Sequence, residues 1–231
     1  MRLLIPLLPL LFLAALCAQS PELTSSSVSE AVEQLTGHRA HMTNEIRLLA
    51  GSHLAGPAVT LRLVRDEKAS ATEAGLVAIK LLEAAPAGSV VVATLDGEKA
   101  FAVFGSTFAA LAKTRRLAGF VVDGSVRDLT DLKRFAFPTY ARGTAPGSAG
   151  GHYRIEGTNV PVSCGGIEVK PGDYVVGDED GVAVAPKERY SEVVAAAKKW
   201  QAEKQALVPL IEKHGSYLKA LEERSASERR Q

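Results

Sequence analysis

The sequence has little cysteine. Cys17 and Cys164 are the only two among 231 residues, and Cys17 lies in an apolar N-terminal leader. Removal of that leader would leave Cys164 without a partner, so a disulfide framework is not available to the fold. Packing must therefore supply the stability, and an apolar fraction of 46% in a chain of this length is enough for one sizeable domain.

Net charge is also nearly absent. Lys and Arg number 27 and Asp and Glu number 26, and the sole dense basic stretch is the terminal "ERRQ". A protein that binds nucleic acid normally carries a basic patch or stripe. We therefore expect no nucleic-acid partner.

Several common catalytic signatures are missing. The sequence contains no G-x-S-x-G, no Walker loop, no G-x-G-x-x-G, no H-E-x-x-H and no C-x-x-C. His38 and His41 are the only histidines close together, and zinc sites normally recruit three or more protein ligands. This pair is interpreted as a surface pair, and "GDEDG" at 177–181 as a hairpin turn whose acids could also reach a cation.

The first eighteen residues have the layout of a secretory signal peptide. Arg2 precedes an apolar run that ends in small residues near Ala18. The run is short for a bilayer span and contains two prolines, which favours a cleaved signal over a transmembrane anchor. The bulky Leu16 counts against a lipoprotein cleaved before Cys17. We expect a signal peptide at 1–18, an exported (periplasmic or secreted) protein, no stable membrane association after cleavage, and one domain over 19–231.

Hydrophobic periodicity in the middle third alternates strand, helix, strand, helix. A helix is predicted with its cap among Thr24 to Ser27 and its end at Gly37, and a strand is predicted within "GPAVTLRLV". A helical tail is predicted at about 187–223, with Pro209 as a kink or break. The apolar stripe of this tail packs either on its own domain or on a neighbouring subunit.

A candidate site lies between Gly105 and Asp131. A helix that starts at Gly105 or Ser106 points free backbone N–H groups at whatever precedes it, which suits a carboxylate. The next strand is predicted to end at Asp123, so both turns could line one cleft at the strand ends. Arg127 would then bind an organic acid and Asp128 a Mg²⁺ or Mn²⁺ ion.

A plainer interpretation of the same segment stays open. "DG" is a common turn, and Arg127 with Asp131 has the spacing of an ordinary i,i+4 surface ion pair. On periodicity and spacing alone, the solvated turn is the favoured interpretation, since solvated charge pairs are common.

The stretch "FGSTFAALAKTRRLAGFVVDGSVRDLTDLKRFAFPTYARGTAP" resembles the signature region of the RraA-like family, which includes 4-hydroxy-4-methyl-2-oxoglutarate aldolases and the regulator of ribonuclease activity A. "GPAVTLR", "AGSVVVATLDG" and "VKPGDYVVGDEDGVAVAP" extend the resemblance to about 23–221. It implies an α/β fold of the layered β/β/α, swivelling-domain-like type, assembled as a homotrimer or hexamer with sites between subunits.

The resemblance also implies roles for particular residues. Gly105, Ser106, Thr107 and Phe108 would form the backbone cradle for a substrate carboxylate, with Arg127 as its side-chain partner. Asp128 would bind the divalent metal, and Asp131 would lie behind it as a further acid. The family often has an acidic or amidic residue where this chain has Ser106, and acids from other segments are not placed beyond Glu203 as a candidate.

The implied activity is that of a divalent-metal-dependent (class II) lyase acting on small 2-oxo acids. Retro-aldol cleavage of 4-hydroxy-4-methyl-2-oxoglutarate and decarboxylation of oxaloacetate both release pyruvate through an enolate, so one site can serve either reaction. The alternative is an exported organic-acid-binding or regulatory protein of the same family that has no turnover.

Overall fold

The computed structural model describes residues 23–229. Its helices are α1 (Ser25–Thr36), α2 (Ala71–Ala84), α3 (Ser106–Thr114), α4 (Leu129–Phe135), α5 (Tyr190–His214) and α6 (Tyr217–Glu228). Its strands are β1 (Arg47–Ala50), β2 (Leu54–Arg65), β3 (Val90–Thr94), β4 (Ala102–Phe104), β5 (Gly119–Val126), β6 (Thr139–Thr144), β7 (Tyr153–Thr158), β8 (Val162–Cys164), β9 (Ile167–Val169), β10 (Tyr174–Asp178) and β11 (Gly181–Ala185). The predicted signal peptide, 1–18, lies outside the described residues.

Local signals in the sequence explain the first helix. The Thr24 side chain accepts a hydrogen bond from the Ser27 amide at 3.2 Å, which satisfies one of the free N–H groups of the first turn. Gly37 ends α1 in the left-handed conformation at φ 73°, where a residue without Cβ is favoured. The end at Gly37 was predicted from the sequence, and Thr24 is one of the four residues among which the cap was expected.

One large sheet organises the molecule, with strand order β1-β6-β5-β3-β2-β10-β11. The neighbours β2, β3, β5 and β6 are parallel, β4 adds to β5, and β7 adds to β2. Strands β8 and β9 form a separate hairpin. The sheet is nearly closed, and the fold is of the mixed α/β class that was expected.

Three apolar clusters define the layers. One lies between the sheet and helices α2, α3 and α4, and it contains Phe104 and Phe120. A second lies inside the folded sheet, between the parallel strands and the β8 to β11 segments, around Tyr140. The third joins α1 and the start of α5 to β10 and β11. The order β/β/α with a helical tail is therefore confirmed.

The prediction that the strand after α3 ends at Asp123 was wrong. β5 continues to Val126, and all eight of its residues are buried. Asp123 stays inside the sheet because its carboxylate is paired: Arg142 on β6 donates to Oδ1, and the Gly165 amide donates to Oδ2 at 2.7 Å. A buried carboxylate is tolerated when it is paired and hydrogen-bonded in this way.

The helical tail begins on its own domain. A short 3-10 turn, Lys187–Arg189, leads into α5, where Val193 and Ala197 are buried against α1. Pro209 is exposed inside α5 and does not end it, so the predicted break was wrong; the helix ends at His214, before Gly215 at φ 58°. Within residues 23–229 no helix has the length and apolar character needed to cross a membrane.

Candidate active site

Strand pairing brings the two candidate segments together. β4 runs parallel to β5, with Phe104 opposite Val126, so the residues that follow the two strands lie side by side. The Arg127 amide donates to the Phe104 carbonyl at 2.9 Å, which fixes Gly105 next to Asp128. Ser106 and Asp128 are 22 residues apart in the sequence, so it is the pairing of β4 with β5 that brings them together.

Gly105 is required by space and not by its backbone conformation. It precedes α3 with φ −139° and ψ −163°, an extended conformation that any residue adopts. A Cβ at this position would lie 2.5 Å from Asp128 Oδ2, 2.9 Å from Arg127 Cγ and 3.1 Å from Arg127 Nε. The side chains of the site therefore occupy the volume that a larger residue would fill.

Asp128 adopts an unusual backbone conformation. Its φ of 57° and ψ of 40° place it in the left-handed region, where non-glycine residues are uncommon, at the start of α4. Its Oδ2 accepts hydrogen bonds from the Ser106 amide at 2.8 Å and from the Ser106 hydroxyl at 2.9 Å. Arg127 Nε lies 4.0 Å from the same oxygen.

These neighbours lower the pKa of the Asp128 carboxyl. The hydrogen bond from the Ser106 amide has the largest effect, and the Ser106 hydroxyl adds to it. Burial opposes both, and the charge of Arg127 makes the smallest contribution to the lowering of the pKa. Asp128 is therefore negatively charged at neutral pH, as a metal ligand must be.

A shallow cavity of 370 Å³ opens beside these side chains. Arg127, Asp128 and Leu129 line one wall, and the segment 144–146 lines the other. The Ala145 amide holds that second wall in place by donating to the Val126 carbonyl at 3.0 Å. Arg127 and Asp128 remain 41% and 39% exposed, so a small anion and a hydrated cation can both reach them.

The predicted amide cradle is partly occupied by the protein itself. Asp128 takes the Ser106 amide, which leaves those of Thr107 and Phe108 as the next two of the first helical turn. The Phe108 ring turns inward and packs on Phe104 with ring centroids 5.6 Å apart, so its backbone alone can serve the site. The Ser106 amide is therefore not available to a substrate carboxylate.

The other candidate acids form ion pairs with residues outside the proposed site. Asp131 pairs with Arg134 at 2.9 Å and not with Arg127, and Glu203 pairs with Arg224 in the tail at 3.7 Å. His41 bonds Ser29 and Glu33 on the surface. Over residues 23–229, no group of three or more His, Cys, Asp or Glu side chains is arranged to hold a metal ion.

Sequence reasoning missed the second wall, Thr144 to Pro146, and the pair of Asp123 with Arg142. The Arg142 side chain is only 13% exposed and also donates to Glu45. It therefore fixes the end of β6, directly before the cavity wall at 144–146. The signal that could have found both is "YARGTAP", which stands inside the stretch that resembles the RraA-like signature.

Comparison with known proteins decides the family. A family model for RraA-like proteins, described as Aldolase/RraA, matches residues 25–184. The chain belongs to the RraA-like family. Every candidate residue from Gly105 to Asp131 lies inside the matched region, and the tail helices follow it.

Several curated relatives of this RraA-like chain are named as aldolases. A protein of Halalkalibacterium halodurans that carries the provisional name 4-hydroxy-4-methyl-2-oxoglutarate aldolase is 37% identical over 183 residues, 79% of this chain and 81% of its own. The 4-hydroxy-4-methyl-2-oxoglutarate aldolase of a Thermus thermophilus strain is 31% identical over 136 residues, 59% of this chain and 77% of its own. These names support an aldolase-type function.

Solved structures agree with the fold. Streptomyces coelicolor RraAS2, described as an unusual member of the RNase ES inhibitor RraA family, has a TM-score of 0.68 at 27% identity and covers 79% of this chain and 91% of its own. An uncharacterized protein of Pseudomonas syringae reaches a TM-score of 0.77 at 24% identity, over 86% and 92% of the two chains. The second likeness concerns the fold alone.

Proposed function

We propose that this RraA-like protein is a divalent-metal-dependent lyase that cleaves a carbon–carbon bond in small 2-oxo acids and releases pyruvate. The substrates would be 4-hydroxy-4-methyl-2-oxoglutarate, oxaloacetate or both. The observation that carries the proposal is the convergence of a guanidinium, a carboxylate and a helix N-terminus at Gly105, beside a cavity large enough for a small acid. The aldolase names of the relatives support the same reaction class.

The donor set fits a hydrated Mg²⁺ or Mn²⁺ ion held by one carboxylate. Asp128 uses Oδ2 for its hydrogen bonds with Ser106, and Oδ1 accepts none from the described residues. Mg²⁺ keeps several waters and is commonly bound through one or two carboxylates together with oxygens of the substrate. When bound, such a cation would act as a Lewis acid on the 2-oxo group.

The protein's own groups would bind and orient the acid. The amides of Thr107 and Phe108 would donate to the substrate carboxylate at the positive end of α3. Arg127 would donate to the oxygen on which negative charge develops as the bond breaks, and a preorganised donor of this kind contributes about 3 kcal/mol to the stabilisation of the transition state. The residues described around the cavity include no lysine for a Schiff base, so the proposal uses no covalent step.

Replacement of Arg127 by alanine tests the proposal. We expect the variant to fold normally and to lose pyruvate release by about a hundredfold, since it removes one charged donor. Arg62→Ala is the matched control, because Arg62 is similarly exposed (47%) and pairs with Glu156 on a different part of the sheet. EDTA should stop the wild-type reaction, and added Mg²⁺ or Mn²⁺ should restore it. Unchanged pyruvate release by Arg127→Ala would contradict the proposed site.

A non-catalytic organic-acid-binding or regulatory protein is the second candidate. It is favoured by one observation: Asp131 is paired with Arg134, so the described residues place no free acid behind Asp128 that would serve as a general base. Pyruvate formation from oxaloacetate, measured with and without Mg²⁺, separates the two. Acid binding without pyruvate formation would support the binder.

Export through the leader at 1–18 and assembly as a homotrimer or hexamer are further parts of the proposal. The first is tested by detecting the processed chain outside the cytoplasm. The second is tested by light scattering on the purified protein. A family assembly with sites between subunits would also supply acids that one chain lacks.

A further inference from the structure

Ser106 makes two contacts to one oxygen. Its amide and its hydroxyl both donate to Asp128 Oδ2, at 2.8 and 2.9 Å. Arg127 Nε is 4.0 Å from that oxygen, beyond hydrogen-bond distance. Among the residues that the structure describes, Ser106 alone fixes the direction of the Asp128 carboxylate by hydrogen bonds.

The Asp128 carboxylate is exposed to solvent on one side. Its Oδ2 occupies the space beside Gly105, where a Cβ would lie 2.5 Å away, and the side chain is 39% exposed. A terminal carboxylate torsion is broad, so without directed hydrogen bonds its two oxygens would sample many orientations. Two donors on Oδ2 restrict that rotation and keep Oδ1 as the oxygen with no partner among the described residues.

We propose that the Ser106 hydroxyl positions Asp128 for cation binding, by holding Oδ2 so that Oδ1 receives the ion. Ser106 is thus a positioning residue, since it acts through Asp128. The inference rests on the proposed function only for the presence of the cation. Partners that orient a metal ligand commonly change metal affinity tenfold or more when they are removed.

The test is Mn²⁺ affinity in the absence of any organic acid, measured by electron paramagnetic resonance on the full chain. Ser106→Ala keeps the amide and removes the hydroxyl, and we expect the Kd for Mn²⁺ to rise about tenfold. Ser106→Thr restores a hydroxyl and should return the Kd to within about threefold of wild type. Thr114→Ala is the control, because it removes a hydroxyl from the far end of the same helix, where Thr114 Oγ1 bonds the Ala110 carbonyl.

Two results would overturn the inference. One is a wild-type Mn²⁺ affinity in Ser106→Ala. The other is a Ser106→Thr protein that binds Mn²⁺ as weakly as Ser106→Ala while it melts at the wild-type temperature. If Ser106→Ala does not fold, Ser106→Thr is compared with Ser106→Val, which has the same shape without the hydroxyl, and equal affinities overturn the inference.

The outcome is separable from that of the proposed function. Mn²⁺ binding that depends on Ser106 in a protein that releases no pyruvate would refute the lyase and leave the positioning role in place. Pyruvate release that persists in a protein with Ser106-independent Mn²⁺ binding would do the reverse. A wild-type protein with no Mn²⁺ affinity, both without and with pyruvate, would overturn both.

Discussion

Replacement of Gly105 by alanine should damage the site without damaging the fold. The added Cβ would lie 2.5 Å from Asp128 Oδ2, whereas ordinary contact begins at 3.4 Å. The carboxylate must therefore retreat by about 0.9 Å, and Arg127, whose Cγ would be 2.9 Å away, must move as well. Both hydrogen bonds from Ser106 to Oδ2 lengthen as a result.

The stability cost should be small. The φ of −139° at Gly105 is open to alanine, so no backbone strain is introduced. Arg127 and Asp128 are 41% and 39% exposed and can swing towards solvent. We expect the free energy of unfolding to change by less than about 1 kcal/mol. Catalysis should suffer far more, because a misplacement of about 1 Å at a reacting centre commonly costs about a hundredfold in rate.

The assay is pyruvate release, followed through NADH oxidation in a coupled reaction, together with urea unfolding of the same preparations. Gly75→Ala is the control: Gly75 lies in the middle of α2, and nothing lies within 4 Å of a Cβ placed there. That variant should keep wild-type activity and gain about 0.5 to 1 kcal/mol of stability. Full pyruvate release by a folded Gly105→Ala protein would show that the reaction does not use this site.

Three further predictions concern charge and burial. Asp123→Ala leaves the Arg142 guanidinium without its buried partner and should lower the free energy of unfolding by about 3 kcal/mol in urea titrations; a change below about 1 kcal/mol would contradict the pairing. The pKa of Asp128 is below its ordinary value of 3.8, so its contribution to stability and cation binding should be complete above 3.8 and be lost only as pH falls through the lower, folded-state pKa. Mn²⁺ affinity that already declines between about pH 6 and 5 would argue against this. Burial raises the pKa of the Cys164 thiol well above its usual range, so iodoacetamide should label it in urea and not in the native protein; rapid native labelling would show that the thiol is accessible.

Local chemistry could be predicted from the sequence. Thr24 and Gly37 bound α1 because capping depends on residues within one turn of the helix end. The hairpin of β10 and β11 turns at Glu179 and Asp180, as "GDEDG" indicated. The closeness of Gly105 to Arg127 and Asp128 also followed, from the resemblance of one continuous stretch to a known family.

Pairings between distant residues could not be predicted in the same way. Asp123 looks like a strand end because a charged residue is normally excluded from a buried strand, and its partner Arg142 stands 19 residues away. The spacing of Arg127 and Asp131 suggested an i,i+4 ion pair between them, but Asp131 pairs with Arg134 at i,i+3 on the same helix. The place of Asp131 in the site rested on the family resemblance alone. For Asp123 and Arg142 the decisive contact joins side chains on two different strands, and periodicity carries no information about it.

The strongest constraint on function is that the two oxygens of the Asp128 carboxylate have different surroundings. Asp128 cannot serve as a free surface acid, because Ser106 binds one of its oxygens and the start of α3 lies directly beside it. Within one chain, the described residues include no group of three acidic, histidine or cysteine side chains that could hold a metal ion. A carboxylate with one oxygen held and the other free, next to a guanidinium and two helix amides, matches the needs of a cation that arrives with an organic acid. Under the proposed function, the other oxygens around such a cation would come from water, from that acid or from another chain, so metal affinity measured with and without pyruvate is expected to differ.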